Sequence, residues 1–220
     1  MKKRTIVPVV LTIICCFAML AVDGLWQPGY WIKSGVKIIL FLGAPVICQL
    51  VFRDPTLQAV IRPNRKGILR AILMGLAVYA VILVGFFLLK SRVDFTSVLN
   101  NLPDGVSKST FPFVALYISF INSLLEEFFF RGFAYLSLRD RCKGAALFSA
   151  VAFALYHTAM MLGWFPPMVF ILALVGLTVG GLIFNYLDSR DGSIYTGWLV
   201  HMFANFAINT IGFLLFYEIV

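Results

Sequence analysis

The chain has 220 residues, of which 61% are hydrophobic and 13% charged, and a mean hydropathy of +0.94. Soluble domains carry about 25% charged residues, so this composition excludes an ordinary soluble domain and implies an integral membrane protein. The net charge of +8 is not a nucleic-acid signature: no basic helix or basic–aromatic interleaving is present, and the positive residues sit between apolar runs, where they orient membrane segments.

Seven apolar runs approach the roughly 20 residues needed to cross a bilayer. They are predicted at Ile6–Val22, Tyr30–Phe52, Ala71–Leu89, Phe111–Leu138, Gly144–Gly163, Met168–Leu187 and Ile194–Ile219. The first follows a basic start like a signal peptide, but no clean small-x-small cleavage site comes after it, and a retained span is expected. In the second, Lys33 and Lys37 lie near the start, where their stems are expected to snorkel to the interface. Ser91–Thr110, which contains "NLPDG", is expected to form the longest external loop. The fourth run is long enough that its end is expected to bend away or lie along the interface. Pro166 and Pro167 predict a tight turn into the sixth span, and "GLTVGG", Gly176 to Gly181, predicts close helix packing. Cys15, Cys16, Cys48 and Cys142 lie in or beside apolar runs at no metal-ligand spacing and are expected to act as small core hydrophobes.

With the N-terminus in the cytoplasm, thirteen of the 18 basic residues fall on inside segments, Arg131 among them. Lys33, Lys37, Lys90, Arg92 and Lys108 fall outside. The bias predicts an N-in, C-out chain. The expected fold class is all-α, a polytopic transmembrane helical bundle of about seven spans. Residues 1–110 supply three spans and the external loop, and residues 111–220 a four-span core of the same membrane domain. The compact length and short loops suit a bacterial inner (cell) membrane.

Five polar side chains interrupt the last four spans: Glu126, Glu127, His157, His201 and Asn205. Ionisable residues inside a membrane almost always face a bundle interior or a wet cavity. Glu127 and Arg131 are four residues apart with the acid first, the favoured order for a helical ion pair. Glu126 is turned about 100° from its neighbour on an α-helix, so one glutamate can be neutralised by Arg131 while the other aims elsewhere. His201 and Asn205 share a helix face, as do Phe153 and His157, the latter pair placing an aromatic wall beside an imidazole. A desolvated carboxylate with an imidazole can hold and deprotonate a water. A second imidazole and an amide can donate to a developing oxyanion. A Glu/His/His set is also a possible zinc site, although the helical H-E-x-x-H arrangement is absent. Asn122, Asn185 and Asn209 read as helix contacts.

These residues resemble the CPBP intramembrane proteases, the CAAX protease and bacteriocin-processing (Abi) family. "EEFFFR", Glu126 to Arg131, matches E-E-x-x-x-R; "FALYH", Phe153 to His157, matches F-x-x-x-H; and "HMFAN", His201 to Asn205, matches the third motif. The resemblance covers about residues 111–220 and no motif position departs from it. It implies an intramembrane endopeptidase that cleaves a membrane-associated peptide or protein by a glutamate-dependent mechanism without a cofactor, zinc being the minority alternative. By that resemblance Glu126 is the general base with His157, and His201 and Asn205 form the oxyanion pair. Glu127 and Arg131 are supporting residues, with Phe153 beside them. The partners implied are a membrane peptide or protein substrate and the lipid bilayer. The rival readings are a non-catalytic scaffold or bacteriocin-immunity protein of the same fold, and a proton-coupled carrier. The carrier is disfavoured because the polar groups fall in the C-terminal half, not in two pseudo-symmetric halves.

Overall fold

The computed structural model describes residues 3–53, 56–62, 65, 67–91 and 93–219. With no water in a bilayer core, backbone donors and acceptors must pair within the segment, and the apolar runs accordingly form helices: α1 (Lys3–Trp26), α2 (Tyr30–Phe52), α3 (Thr56–Val60), α4 (Ile68–Leu89), α5 (Thr96–Asn100), α6 (Phe111–Leu136), α7 (Ala145–Met161), α8 (Pro167–Asp191) and α9 (Tyr195–Phe216). Glycines at positive φ start α4 (Gly67, φ 92°) and end α8 (Gly192, φ 67°), as expected where a left-handed residue breaks a helix. Pro167 occupies the first turn of α8, where its missing N–H costs nothing. No strand occurs among the described residues.

Among the described residues, α1, α2, α4, α6, α8 and α9 are long and apolar enough to cross a membrane. The fifth expected span is the exception. In place of Gly144–Gly163 the helix runs over Ala145–Tyr156, breaks at His157 and resumes for one turn at Thr158–Met161. It nonetheless keeps the up-and-down order, as contacts at the two ends of the bundle show. At one end, Arg4 Nη2 donates to the Phe52 carbonyl at 3.0 Å and Arg139 Nη1 to the Ser189 carbonyl at 3.1 Å. There too the Ile194 amide donates to the Val60 carbonyl at 3.1 Å, and Arg70 faces Asp191 at 3.8 Å. At the other end the Tyr30 amide donates to the Asp104 carbonyl at 2.8 Å, Phe95 meets Phe86 and Phe165 edge-on, and Lys108 lies over Tyr217.

Three charges counted from the sequence as flanking residues are not exposed. Arg131, Lys33 and Lys37 are buried. Lys33 pairs with Asp23 at 2.6 Å and Lys37 with Glu126 at 3.2 Å, so neither snorkels: a carboxylate inside the bundle is a closer partner than the interface. Lys2, Lys66 and Arg92 lie outside the described residues. Of the glycines expected to allow close packing, Gly181 does so, a Cβ there meeting Ala150 Cα at 3.0 Å, whereas Gly176 and Gly180 have no neighbour within 4 Å. The tight seam lies instead between α4 and α9, where a Cβ on Gly75 would overlap the Phe203 ring and Tyr79 shares a hydrogen bond with Thr210 at 3.1 Å. Among the described residues the cysteines form no disulfide, and Cys15, Cys16 and Cys48 are buried.

Candidate active site

The helix that carries the two glutamates is irregular where they sit. In α6 wide, π-helical turns at Tyr117–Asn122 and Glu127–Leu136 flank a short α-helical stretch, Ser123–Glu126. Wide turns inside helices recur at functional sites because they re-aim side chains. Glu126 and Glu127 leave the helix in different directions, 2% and 0% exposed.

Glu127 is the inner of the two. Its Oε1 accepts from His201 Nδ1 at 2.7 Å, and its Oε2 lies 3.2 Å from Arg131 Nε. The expected pair with Arg131 is therefore present, as a charge contact rather than an aligned hydrogen bond, since the guanidinium nitrogens have no hydrogen-bond partner among the described residues. The guanidinium is instead sandwiched by aromatics, 4.2 Å from the Phe153 ring centroid and 4.9 Å from that of Phe184. Cation–π contacts strengthen when desolvated. Phe184 also stacks on His201, with centroids 5.3 Å apart.

Glu126 faces the two histidines. Its Oε2 stands 3.9 Å from His157 Nε2 and 3.8 Å from His201 Nε2. Both rings are fixed from behind. His157 Nδ1 donates to the Phe153 carbonyl at 2.7 Å, and a carbonyl can only accept, so that nitrogen carries the hydrogen and Nε2 presents its lone pair. His201 Nδ1 likewise donates to the Glu127 carboxylate. The F-x-x-x-H spacing acquires a physical meaning here: at the end of its helical stretch the His157 ring turns back onto the carbonyl four residues earlier, with the Phe153 ring 4.7 Å away at 69°.

The other oxygen of Glu126 is saturated. Oε1 accepts from Asn122 Nδ2 at 2.9 Å, from Lys37 Nζ at 3.2 Å and from Tyr156 Oη at 3.3 Å. Lys37 also donates to Asn122 Oδ1 at 2.7 Å. None of these three was singled out as a site residue from the sequence. Asn122 read as a helix contact and Lys37 as an interfacial cation. The available signal was a lysine seven residues inside an apolar run, in a chain where Arg131 can neutralise only one of two buried glutamates.

Asn205 is placed differently. It follows His201 by one turn of α9, but its Nδ2 donates to the Ile118 carbonyl at 3.1 Å, and no hydrogen bond among the described residues joins it to Glu126 or the histidines. Asn185 and Asn209 are helix contacts, as read from the sequence, donating to the carbonyls of Ala146 and Ala115. A further buried acid, Asp188, accepts from the Gly197 amide at 2.7 Å. It thereby satisfies one of the orphan donors in the first turn of α9 and lies in the surroundings of Arg131.

No group of three or more His, Cys, Asp or Glu side chains among the described residues is arranged to hold a metal ion.

Residues 108–207, which contain all three motifs, match the family model described as type II CAAX prenyl endopeptidase Rce1-like. Over this stretch the chain is similar to that family, which is a peptidase family. The matched region takes in α6, α7, α8 and the first half of α9, while Lys37 stands outside it on α2. No curated protein and no solved structure matches the chain.

Proposed function

We propose that the protein is an intramembrane endopeptidase that hydrolyses a peptide bond of a membrane-associated protein or peptide with a water held by Glu126 and His157 beside His201. The observation that carries this reading is the convergence of both Nε2 atoms on one free carboxylate oxygen. At 3.8–3.9 Å the separations are too long for direct hydrogen bonds and short enough for one water to touch both partners.

In this reading the water donates one hydrogen to Glu126 Oε2 and the other to His157 Nε2, which orients a lone pair toward the scissile carbonyl carbon. As the new C–O bond forms, the water's proton passes to Glu126, acting as general base. The carbonyl oxygen becomes an oxyanion. His201 in its doubly protonated form donates from Nε2 to that oxyanion, its charge balanced by Glu127 behind it. Asn205 has a second amide hydrogen beyond the one given to Ile118, and this supplies another donor. Glu126 then returns its proton to the leaving amine as the C–N bond breaks. No covalent enzyme intermediate and no metal enter the cycle.

The basic residues support an N-in orientation. Lys3, Arg4, Arg53, Arg62, Arg65, Arg70, Arg139, Arg141, Lys143 and Arg190 lie at or near one end of the bundle, and Lys90 and Lys108 at the other. The removal of Lys33 and Lys37 from the second group sharpens the bias.

The test is incubation of the purified protein, beside Glu126→Gln and His157→Ala variants, with a membrane-protein fraction, followed by identification of new termini. Termini made by the wild type and by neither variant are the expected result. Equal termini from all three proteins sink the proposal, and no cleavage by the wild type favours the scaffold reading.

A further inference from the structure

We infer that Lys37, on α2 and outside the Rce1-like region, is a positioning residue that holds Glu126 with Oε1 turned away and Oε2 left bare for the histidines. This deepens the hydrolytic reading and rests on it.

A carboxylate offers two chemically equivalent oxygens, and a side-chain torsion can exchange them. Something must therefore break the symmetry if one oxygen is to face a water permanently. Among the described residues every hydrogen-bond donor to Glu126 falls on Oε1: the amide of Asn122, the hydroxyl of Tyr156 and the ammonium of Lys37. Oε2 receives none of them and faces both imidazoles. Asn122 is four residues before Glu126 on α6, and Tyr156 immediately precedes His157, so both belong to the region that carries the motifs. Lys37 is the one donor that comes from α2, and the one that carries charge. Its ammonium also donates to Asn122 Oδ1 at 2.7 Å and lies 5.1 Å from the Tyr156 ring centroid, so it touches all the groups that engage Oε1.

Nor is Lys37 shared with another acid. The remaining cation on its helix face, Lys33, is occupied by Asp23 at 2.6 Å, and Glu127 is held by Arg131 and His201. Of the pairings Lys33–Asp23, Glu127–Arg131 and Lys37–Glu126, only the last includes an oxygen that faces both imidazoles. Charge-assisted hydrogen bonds are the strong ones, and a reacting group displaced by about 1 Å can cost on the order of 10²-fold in rate.

The experiment measures kcat and KM of Lys37→Met, Lys37→Arg and Glu126→Gln on an intramolecularly quenched peptide carrying the cleavage site found in the membrane-fraction test. Lys37→Met is expected to lower kcat by about 10²-fold with KM nearly unchanged, and Lys37→Arg to recover most of the loss. A folded Lys37→Met enzyme with wild-type kcat, a loss confined to KM, or an arginine variant as slow as the methionine one overturns the inference. Should Lys37→Met fail to fold, infrared spectra of wild type and Lys37→Arg in ¹³C-glutamate-labelled protein decide. The carboxylate band that Glu126→Gln removes is expected to shift in Lys37→Arg, and an unmoved band overturns the inference. Cleavage that survives Glu126→Gln defeats the hydrolytic reading itself. Cleavage lost in Glu126→Gln but untouched in Lys37→Met defeats only the role given to Lys37.

Discussion

One peptide bond separates two buried glutamates whose surroundings have opposite designs. Around Glu127 one oxygen accepts from His201, and the other lies 3.2 Å from Arg131 Nε without a hydrogen bond among the described residues. Around Glu126 a single oxygen takes all three donors while its twin faces two imidazole nitrogens. Burial does not distinguish them, and neither does the presence of a cation. What differs is what the oxygen without a hydrogen-bond donor faces: the Arg131 guanidinium at Glu127, two imidazole nitrogens at Glu126.

Mutation can break that comparison at several points. The largest effect is expected from Glu126→Gln, which keeps the shape and removes the base. Cleavage should fall by about 10²–10⁴-fold while the thermal unfolding profile in detergent stays close to wild type. A comparable loss from Glu127→Gln, at unchanged stability, would erase the distinction between the two acids.

Next is Arg131→Met, which leaves Glu127 and Asp188 facing each other without their cation. Breaking a buried pair in this way costs about 3–5 kcal/mol, to be read from chemical unfolding in mixed micelles. Wild-type stability in that variant would show that the aromatic cage, and not the charge, is what Arg131 serves.

Asn205→Ala sharpens the comparison on the substrate side. If its second amide hydrogen reaches the oxyanion, kcat drops by about 10²–10³-fold. If it serves only the Ile118 carbonyl, kcat is unchanged and stability falls by about 0.6–2 kcal/mol.

A smaller change is expected from Gly197→Ala. A Cβ there would lie 2.7 Å from both carboxylate oxygens of Asp188, and relief of such overpacking costs about 1–3 kcal/mol. Unfolding that matches the wild type would show that Asp188 can move without cost. Chelation completes the series with an expected effect of none. Activity lost to a strong chelator and restored by zinc would replace the water held by Glu126 with one held by a metal.

The motifs were legible because each places its chemistry within one turn of helix. Glu127–Arg131 and Phe153–His157 meet as their spacing implied, and the three motifs converge because polar groups on apolar helices have no other place to go. Lys37 was not legible, since its distance from the interface along α2 suited snorkelling equally well and its partner lies 89 residues away. The same holds for Asp188, whose contact with Gly197 crosses the turn between α8 and α9. The shortness of α7 was also hidden: hydropathy continues through His157 and cannot register that the helix breaks there.

Hydropathy alone dictates that this chain is a bundle of membrane helices, because a backbone without water must pair with itself and an apolar run of sufficient length can do so only as a helix. Local spacing alone dictates which acid meets Arg131. Which oxygen of Glu126 stays free, which helix supplies its cation and whether Asn205 joins the site are settled only when distant helices pack, because hydrogen-bond donors are chosen by proximity in space.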